Sequence, residues 1–173
     1  MTMRIEPRVV ELIEEGGRSV DQPAPGEAFH VSDAQVENIG YEDGGAVTIK
    51  TIERGASNGV DLVTSDIRVV QTYLALRAAM DWRTAHGLPV LTYASLTSPT
   101  EYLVVDDGQG RASVRHSDGT VLAHRLSAGR ATELVVALSY PLDVVVAAIK
   151  NPTGEPIWTR GPFSSSAPTP ERV

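Results

Sequence analysis

The sequence of 173 residues predicts a single α+β domain, in which antiparallel strands precede and follow one long helix. Three observations support this fold class. Residues 65–87 carry apolar side chains at helical spacing, whereas the segments on both sides alternate polar and apolar residues. Short turns containing glycine separate the alternating segments, which favours antiparallel hairpins. Shorter helices are predicted near both termini.

The segment before the long helix is predicted to form one short helix and four strands. Residues 7–15 form the helix, because Pro7 suits its first position and Gly16-Gly17 suits its end. Residues 18–27 contain two prolines and a glycine and are predicted to be a loop. The four strands are expected at residues 28–31, 36–41, 46–54 and 60–64.

The long helix shows recognisable signals at both ends. Ser65 is a favourable N-cap residue, Asp66 places negative charge at the positive end of the helix dipole, and Gly87 can close the helix. The apolar stripe comprises Ile67, Val69, Val70, Tyr73, Leu74, Leu76, Ala78, Met80 and Trp82. The outer face is predicted to hold Arg68, Gln71, Thr72, Ala75, Ala79 and Arg83. We therefore expect the helix to pack on a sheet through one face.

The segment after the long helix is predicted to form a three-stranded meander and then helices. Residues 90–93 are expected to be extended, and the meander strands are expected at residues 101–105, 111–116 and 121–126. Residues 131–139 fit either a helix or a strand. A helix is favoured because Ser127 and Thr132 offer starts and Pro141 ends the run. A second helix is predicted at residues 142–150, and a flexible tail rich in proline and serine at residues 161–173, so that the domain spans residues 1–160.

The composition limits the kinds of partner. The formal net charge of −7 argues against a nucleic-acid or anionic-membrane surface and leaves room for a basic protein partner. No apolar run approaches the roughly 20 residues of a membrane span, and the first residues lack the apolar segment of a signal peptide. The absence of cysteine fits a reducing compartment. We therefore expect a cytoplasmic protein that binds neither nucleic acid nor membranes.

The sequence lacks motifs for catalysis, metal binding or cofactor binding. Its four histidines match no metal-ligand spacing, and no serine lies in a nucleophile-elbow pattern. Arg77 and Asp81, four residues apart, are expected to form a weak surface pair rather than a catalytic dyad. Trp158 and Arg160 are expected to anchor the C-terminal segment on the domain. We therefore expect no enzyme activity, no metal and no cofactor.

Two features leave alternatives open. Gly108-Gln109-Gly110-Arg111 is half of a phosphate-loop pattern, but it lies between two predicted strands, where a dinucleotide loop should open a helix. It is interpreted either as a hairpin turn or as a protruding loop that enters the cleft of another protein. The acidic first quarter is either a solvated surface or a docking surface for a basic protein.

Four stretches of the chain resemble a known family. They are DIRVVQTYL at residues 66–74, DWR at 81–83, TSPTEY at 97–102 and AIKNPTGEPIW at 148–158. Their order, with hairpins before the first and a meander after the third, is similar to that in the immunity proteins of bacterial polymorphic toxin systems. The similarity is strongest to the actinobacterial group that contains the immunity factor for tuberculosis necrotizing toxin, and it covers about residues 30 to 160.

The resemblance implies a function. It implies a cytoplasmic antitoxin without enzyme activity, which binds its cognate toxin tightly in a 1:1 complex. The toxin of that group is an NAD glycohydrolase, so the resemblance also implies that the protein occludes an NAD-binding active site. The alternative is a small-molecule-binding regulatory domain or an unrecognised hydrolase.

The toxin-binding residues are inferred from physical requirements rather than from the resemblance. An inhibitor of a nucleotide cleft needs a slim projection, in which glycines let the backbone approach closely and a few polar groups replace those of the substrate. The loop from residue 106 to 111 fits this description best. The predicted partner-binding residues are Asp107, Gly108, Gln109, Gly110 and Arg111. The turns at Gly44-Gly45 and Gly16-Gly17 are the rivals.

Overall fold

A computed structural model describes residues 3–91 and 101–158, which form an antiparallel sheet covered by helices. The described helices are α1 (Pro7–Glu15), α2 (Ile67–Ala85), α3 (Ala128–Leu138) and α4 (Leu142–Lys150). The strands are β1 (Ser19–Asp21), β2 (Glu27–Ser32), β3 (Val36–Asp43), β4 (Ala46–Glu53), β5 (Ala56–Thr64), β6 (Tyr102–Gly108), β7 (Arg111–His116) and β8 (Val121–Leu126). The predicted α+β fold class is confirmed.

One sheet contains strands from both sides of α2. Its eight strands have the order β1-β2-β3-β4-β5-β8-β7-β6, and all described pairs are antiparallel. Strands β1 to β5 follow one another in chain order, and β6 to β8 form the predicted meander. The two groups meet at β5 and β8, where a single register pair, Val63 with His124, joins them. The meander is therefore attached to the rest of the sheet along a short edge.

Helix α2 is enclosed on more than one side, which corrects the prediction of a polar outer face. It packs against α1, α3 and α4. Five of the six residues predicted to face outward are buried: Gln71, Thr72, Ala75, Ala79 and Arg83. The Gln71 amide tolerates burial because its Nε2 donates to the Arg4 carbonyl at 2.9 Å and its Oε1 accepts from the Glu6 amide at 3.0 Å. Conversely, Ile67 and Met80, which belong to the predicted apolar stripe, are 51% and 59% exposed.

Several element boundaries differ from the predictions. The N-cap of α2 is Asp66 rather than Ser65, since the Asp66 carboxylate accepts from the Arg68 amide at 2.8 Å. The predicted loop at residues 18–27 contains β1, which is short and pairs with β2 at the sheet edge. Strand β6 continues to Gly108, so the predicted turn at residues 106–110 is reduced to its last two residues.

The C-terminal predictions are largely confirmed within the described residues. Residues 131–138 belong to α3, of which Ser139 is the C-cap, and the Ser127 side chain caps its start. Helix α4 has the predicted bounds. Trp158 is 3% exposed and belongs to the core, as expected of an anchor. Val90 and Leu91 lie outside any strand. The remainder of the predicted segment at residues 90–93, Arg160 and the predicted tail lie outside the described residues.

The length and apolar content of a helix decide whether it can span a membrane. No single helix in residues 3–91 and 101–158 is long and apolar enough to cross a bilayer. Helices α3 and α4 meet the length and composition of a span only as a pair, and they are bent by 111° against each other.

Candidate binding surface

The β6–β7 hairpin ends in a narrow tip with left-handed backbone. Gly108, Gln109 and Gly110 have φ angles of +82°, +56° and +72°. The Asp106 carboxylate accepts a hydrogen bond from the Gly108 amide at 2.8 Å and so stabilises the turn. A Cβ atom added at either glycine would meet no atom within 4 Å, so the glycines are required by the backbone conformation and not by close packing. The three residues of the tip are exposed.

The structure divides the five predicted partner-binding residues into two groups. Gly108, Gln109 and Gly110 form the tip, whereas Asp107 and Arg111 contact their own sheet. Arg111 Nη1 donates to the Arg125 carbonyl at 2.9 Å, and Asp107 Oδ1 accepts from the Ser113 hydroxyl at 3.0 Å. The tip therefore carries one polar side chain, Gln109, between two glycines.

The two rival turns differ in their surroundings. A Cβ on Gly16 would lie 3.0 Å from the backbone nitrogen of Trp82, so this glycine permits α1 to end against α2. A Cβ on Gly44 or Gly45 would meet no atom within 4 Å. Gly44-Gly45 thus forms an open turn between β3 and β4, while Gly16 has a packing role.

A cleft that the sequence analysis missed lies beside the hairpin, between the sheet, α2 and the start of α3. It consists of two adjoining cavities of about 480 Å³ and 380 Å³, which share Val36, Arg77, Ser127 and Arg130 in their walls. Arg111 lines the smaller cavity, opposite the tip of its hairpin. The residues of the cleft come from distant parts of the chain, and no local motif marks them.

Most charged groups in the larger cavity have partners inside the protein. Arg18 is 7% exposed and donates to Asn38 Oδ1 at 3.0 Å, and its Nε lies 3.4 Å from Asp33 Oδ2. Burial lowers the pKa of Arg18. Burial alone would raise the pKa of Asp33, but hydrogen bonds from two backbone amides and the charge of Arg18 lower it overall. Arg130 Nη1 lies 2.8 Å from Glu133 Oε2.

Arg77 and Asp81 differ from their predicted role as a surface pair. Both are half-buried in the wall of the larger cavity, and within the described residues no hydrogen bond or ion pair joins them. The Nε atom of Arg77 is buried and has no hydrogen-bond partner. Burial raises the pKa of Asp81 against the opposing effect of the Arg18 and Arg77 charges.

The histidines and carboxylates form pairs rather than a metal centre. Within residues 3–91 and 101–158, no group of three or more such side chains is placed to hold a metal ion. His30 contacts Glu27 and Glu37, and the His86 ring stacks on Trp82 with centroids 3.9 Å apart.

Comparison with known proteins identifies the family. The family model described as Immunity protein 61 matches residues 13–157, which is most of the chain. The chain belongs to this family. The resemblance to immunity proteins of polymorphic toxin systems is thereby confirmed, and membership supports a general role as an antitoxin that binds a cognate toxin.

A solved structure has the same fold as this member of the Immunity protein 61 family. It is Rv3902c from M. tuberculosis, with a TM-score of 0.78 and 19% sequence identity. The similarity covers 92% of this chain and 96% of the other. No curated protein sequence matches the chain significantly.

Proposed function

We propose that this member of the Immunity protein 61 family is a cytoplasmic antitoxin that occludes the active site of a basic, NAD-degrading toxin in a tight 1:1 complex. Family membership supports the general antitoxin role. The observation that carries the finer proposal is the tip of the β6–β7 hairpin, where an exposed polar side chain stands between two glycines with left-handed backbone.

The shape of this tip suits an active-site cleft. Gly108 and Gly110 lack side chains, so the backbone can approach the walls of a narrow cleft closely. Gln109 forms no hydrogen bond with other described residues, and its amide can both donate and accept. Such an amide can satisfy toxin groups that otherwise bind the polar parts of NAD.

The charges near the hairpin suit a basic partner. Asp106 and Asp107 are exposed next to the tip, and the whole chain carries a formal net charge of −7. This charge attracts a basic toxin and raises the association rate more than the final affinity. Arg111 donates one N–H group to Arg125, and the other donors of its guanidinium can bind a toxin carboxylate at the base of the hairpin.

The test is a titration of toxin activity with hairpin variants. The toxin is isolated by co-purification from the native host, and NAD consumption is measured as antitoxin is added. Gln109→Gly removes the side chain and keeps the φ angle of +56° favourable. We expect its dissociation constant to rise by about tenfold or more, as for a central interface contact.

Arg54→Gly is the matched control, since Arg54 has a φ of +50° in the turn between β4 and β5. It should inhibit like wild type. Equal inhibition by the Gln109→Gly variant would remove the hairpin from the interface. Complex formation with a toxin that does not consume NAD would reject the NAD part of the proposal and leave the antitoxin role intact.

A further inference from the structure

We propose that the larger cavity binds a small organic anion, with a carboxylate or phosphate head on Arg77 and an apolar body against the apolar residues of the lining. This site is separate from the hairpin tip and does not depend on the proposed function. It rests on three features of the cavity: an arginine without a hydrogen-bond partner among the described residues, an excess of arginines over carboxylates, and apolar lining residues that reach the surface.

The guanidinium of Arg77 can donate hydrogen bonds to a ligand at the junction of the two cavities. A guanidinium carries five N–H donors, yet Arg77 forms no hydrogen bond or ion pair with other described residues. Its Nε is buried, and a buried donor without a partner is unfavourable. A carboxylate or phosphate can accept hydrogen bonds from two donors of this guanidinium through its two oxygens.

The charged residues around the cavity favour an anion, because arginines outnumber carboxylates. Four arginines and three carboxylates line it, in a chain whose formal net charge is −7. Asp33 is held by Arg18 and by the amides of Gln35 and Val36, and Glu133 is held by Arg130. Asp81 is the third carboxylate, and burial raises its pKa, which moves it toward the neutral form.

Helix α3 adds a favourable field. Ser127, the N-cap, and Gly129, in the first turn, line the cavity, so the positive end of the helix dipole lies at its edge. Arg18 lines the same space and is paired there with Asp33.

The apolar part of the lining and the volume point to an organic ligand. Leu76, Met80, Val90, Leu91 and Trp158 supply apolar surface, and Met80 and Val90 are 59% and 56% exposed. A volume of about 480 Å³ exceeds the needs of an inorganic anion and lies within the range typical of small-molecule sites, about 300–1,000 Å³. A ligand with an acidic head and an apolar body would contact both Arg77 and these apolar residues.

The test compares probes that carry both the acidic head and the apolar body with probes that carry only one of them. Phenylacetate, hexanoate and phenyl phosphate carry both parts, 2-phenylethanol carries the apolar body alone, and inorganic phosphate carries the head alone. Binding is measured by calorimetric titration and by the side-chain Nε–Hε nuclear magnetic resonance signal of Arg77, at fixed ionic strength. We expect at least one organic anion to bind about tenfold more tightly than both single-part probes and to shift the Arg77 signal.

Variants separate a specific site from general charge attraction. Arg77→Gln should weaken binding of the organic anion by about tenfold. Arg8→Gln makes the same charge change on exposed α1 and should bind like wild type. The proposal is overturned if no organic anion binds wild type more tightly than Arg77→Gln, or if a single-part probe binds as tightly as the organic anions.

Two further measurements keep this site distinct from toxin binding. Arg77→Met, which removes a buried donor without a partner, should leave the melting temperature of the free protein unchanged or raised. A clear loss of stability would show that Arg77 is a structural residue and would overturn the proposal. Arg77→Gln should still inhibit the toxin like wild type, so loss of anion binding and loss of inhibition are scored independently.

Discussion

Arg83 Nη1 donates a hydrogen bond to the backbone carbonyl of Ile149 across 2.8 Å and so joins α2 to the end of α4. The same guanidinium donates to the carbonyls of Pro89, Asn151 and Pro152 at 2.7 to 2.9 Å. The side chain is 1% exposed, and its donors satisfy carbonyls around the chain that leaves α4. One buried cation thus organises the segment that leads to Trp158.

Replacement of Arg83 should lower the free energy of unfolding of the protein. Lysine keeps the charge but lacks the planar arrangement of donors, so Arg83→Lys leaves several buried carbonyls without partners. We expect a loss of at least about 3 kcal/mol in the free energy of unfolding, measured by urea denaturation. Arg8→Lys on the exposed side of α1 is the control. A loss below about 0.5 kcal/mol, the range of surface substitutions, would contradict the role of Arg83.

Gly40→Ala should introduce a clash inside the sheet. Gly40 pairs with Phe29 across β2 and β3, and a Cβ at this position would lie 2.1 Å from Phe29 Cε1. We expect a loss of about 1–3 kcal/mol in stability, as for overpacking of a core. Gly129→Ala in α3, where a Cβ meets no atom within 4 Å, should gain about 0.5–1 kcal/mol.

The origin of the Gly40→Ala effect can be tested in a double variant. Phe29→Leu removes the ring that occupies the Cβ position, so adding it to Gly40→Ala should recover part of the lost stability. Strictly additive losses in thermal denaturation would indicate that the ring is not the cause.

The protonation of Asp81 should make stability depend on pH. Burial raises the pKa of Asp81 in the folded protein, with Arg18, Arg77 and Asp33 as its charged neighbours. The folded state therefore binds the proton more tightly than the unfolded state. At neutral pH the ionised Asp81 carboxylate therefore lowers the free energy of unfolding. This loss is relieved as the pH falls through the pKa of Asp81 in the folded state.

Asp81→Asn should accordingly raise the melting temperature at pH 7, and its advantage over wild type should shrink as the pH approaches 4. Glu14→Gln, an exposed neutralisation on α1, corrects for the change in net charge. An advantage that is constant over this pH range would contradict the raised pKa.

The sequence predicts best where local signals decide the structure. Proline and glycine delimit α1 and α4, and alternation with short turns delimits β7 and β8, so their bounds were predictable. The two glycines beside Gln109 likewise predicted a tight turn, because left-handed backbone favours glycine.

Features that depend on distant contacts were not predictable in this way. The periodicity of α2 suggested one buried face, but three helices pack around it, and Gln71 and Arg83 find partners far away in sequence. The cleft around Arg77 combines residues from β3, α2 and the start of α3, whose proximity is a result of folding. Ion pairs such as Arg18 with Asp33 also require the folded sheet.

The short junction between β5 and β8 has an evolutionary consequence. A single register pair, Val63 with His124, connects the meander to the five N-terminal strands. Substitutions in the meander therefore have few backbone bonds through which to disturb the rest of the sheet. Under the proposed function, the exposed tip of the hairpin can diversify to follow changes in a toxin, while selection for foldability acts on the core residues of the meander, such as Val114 and Leu126.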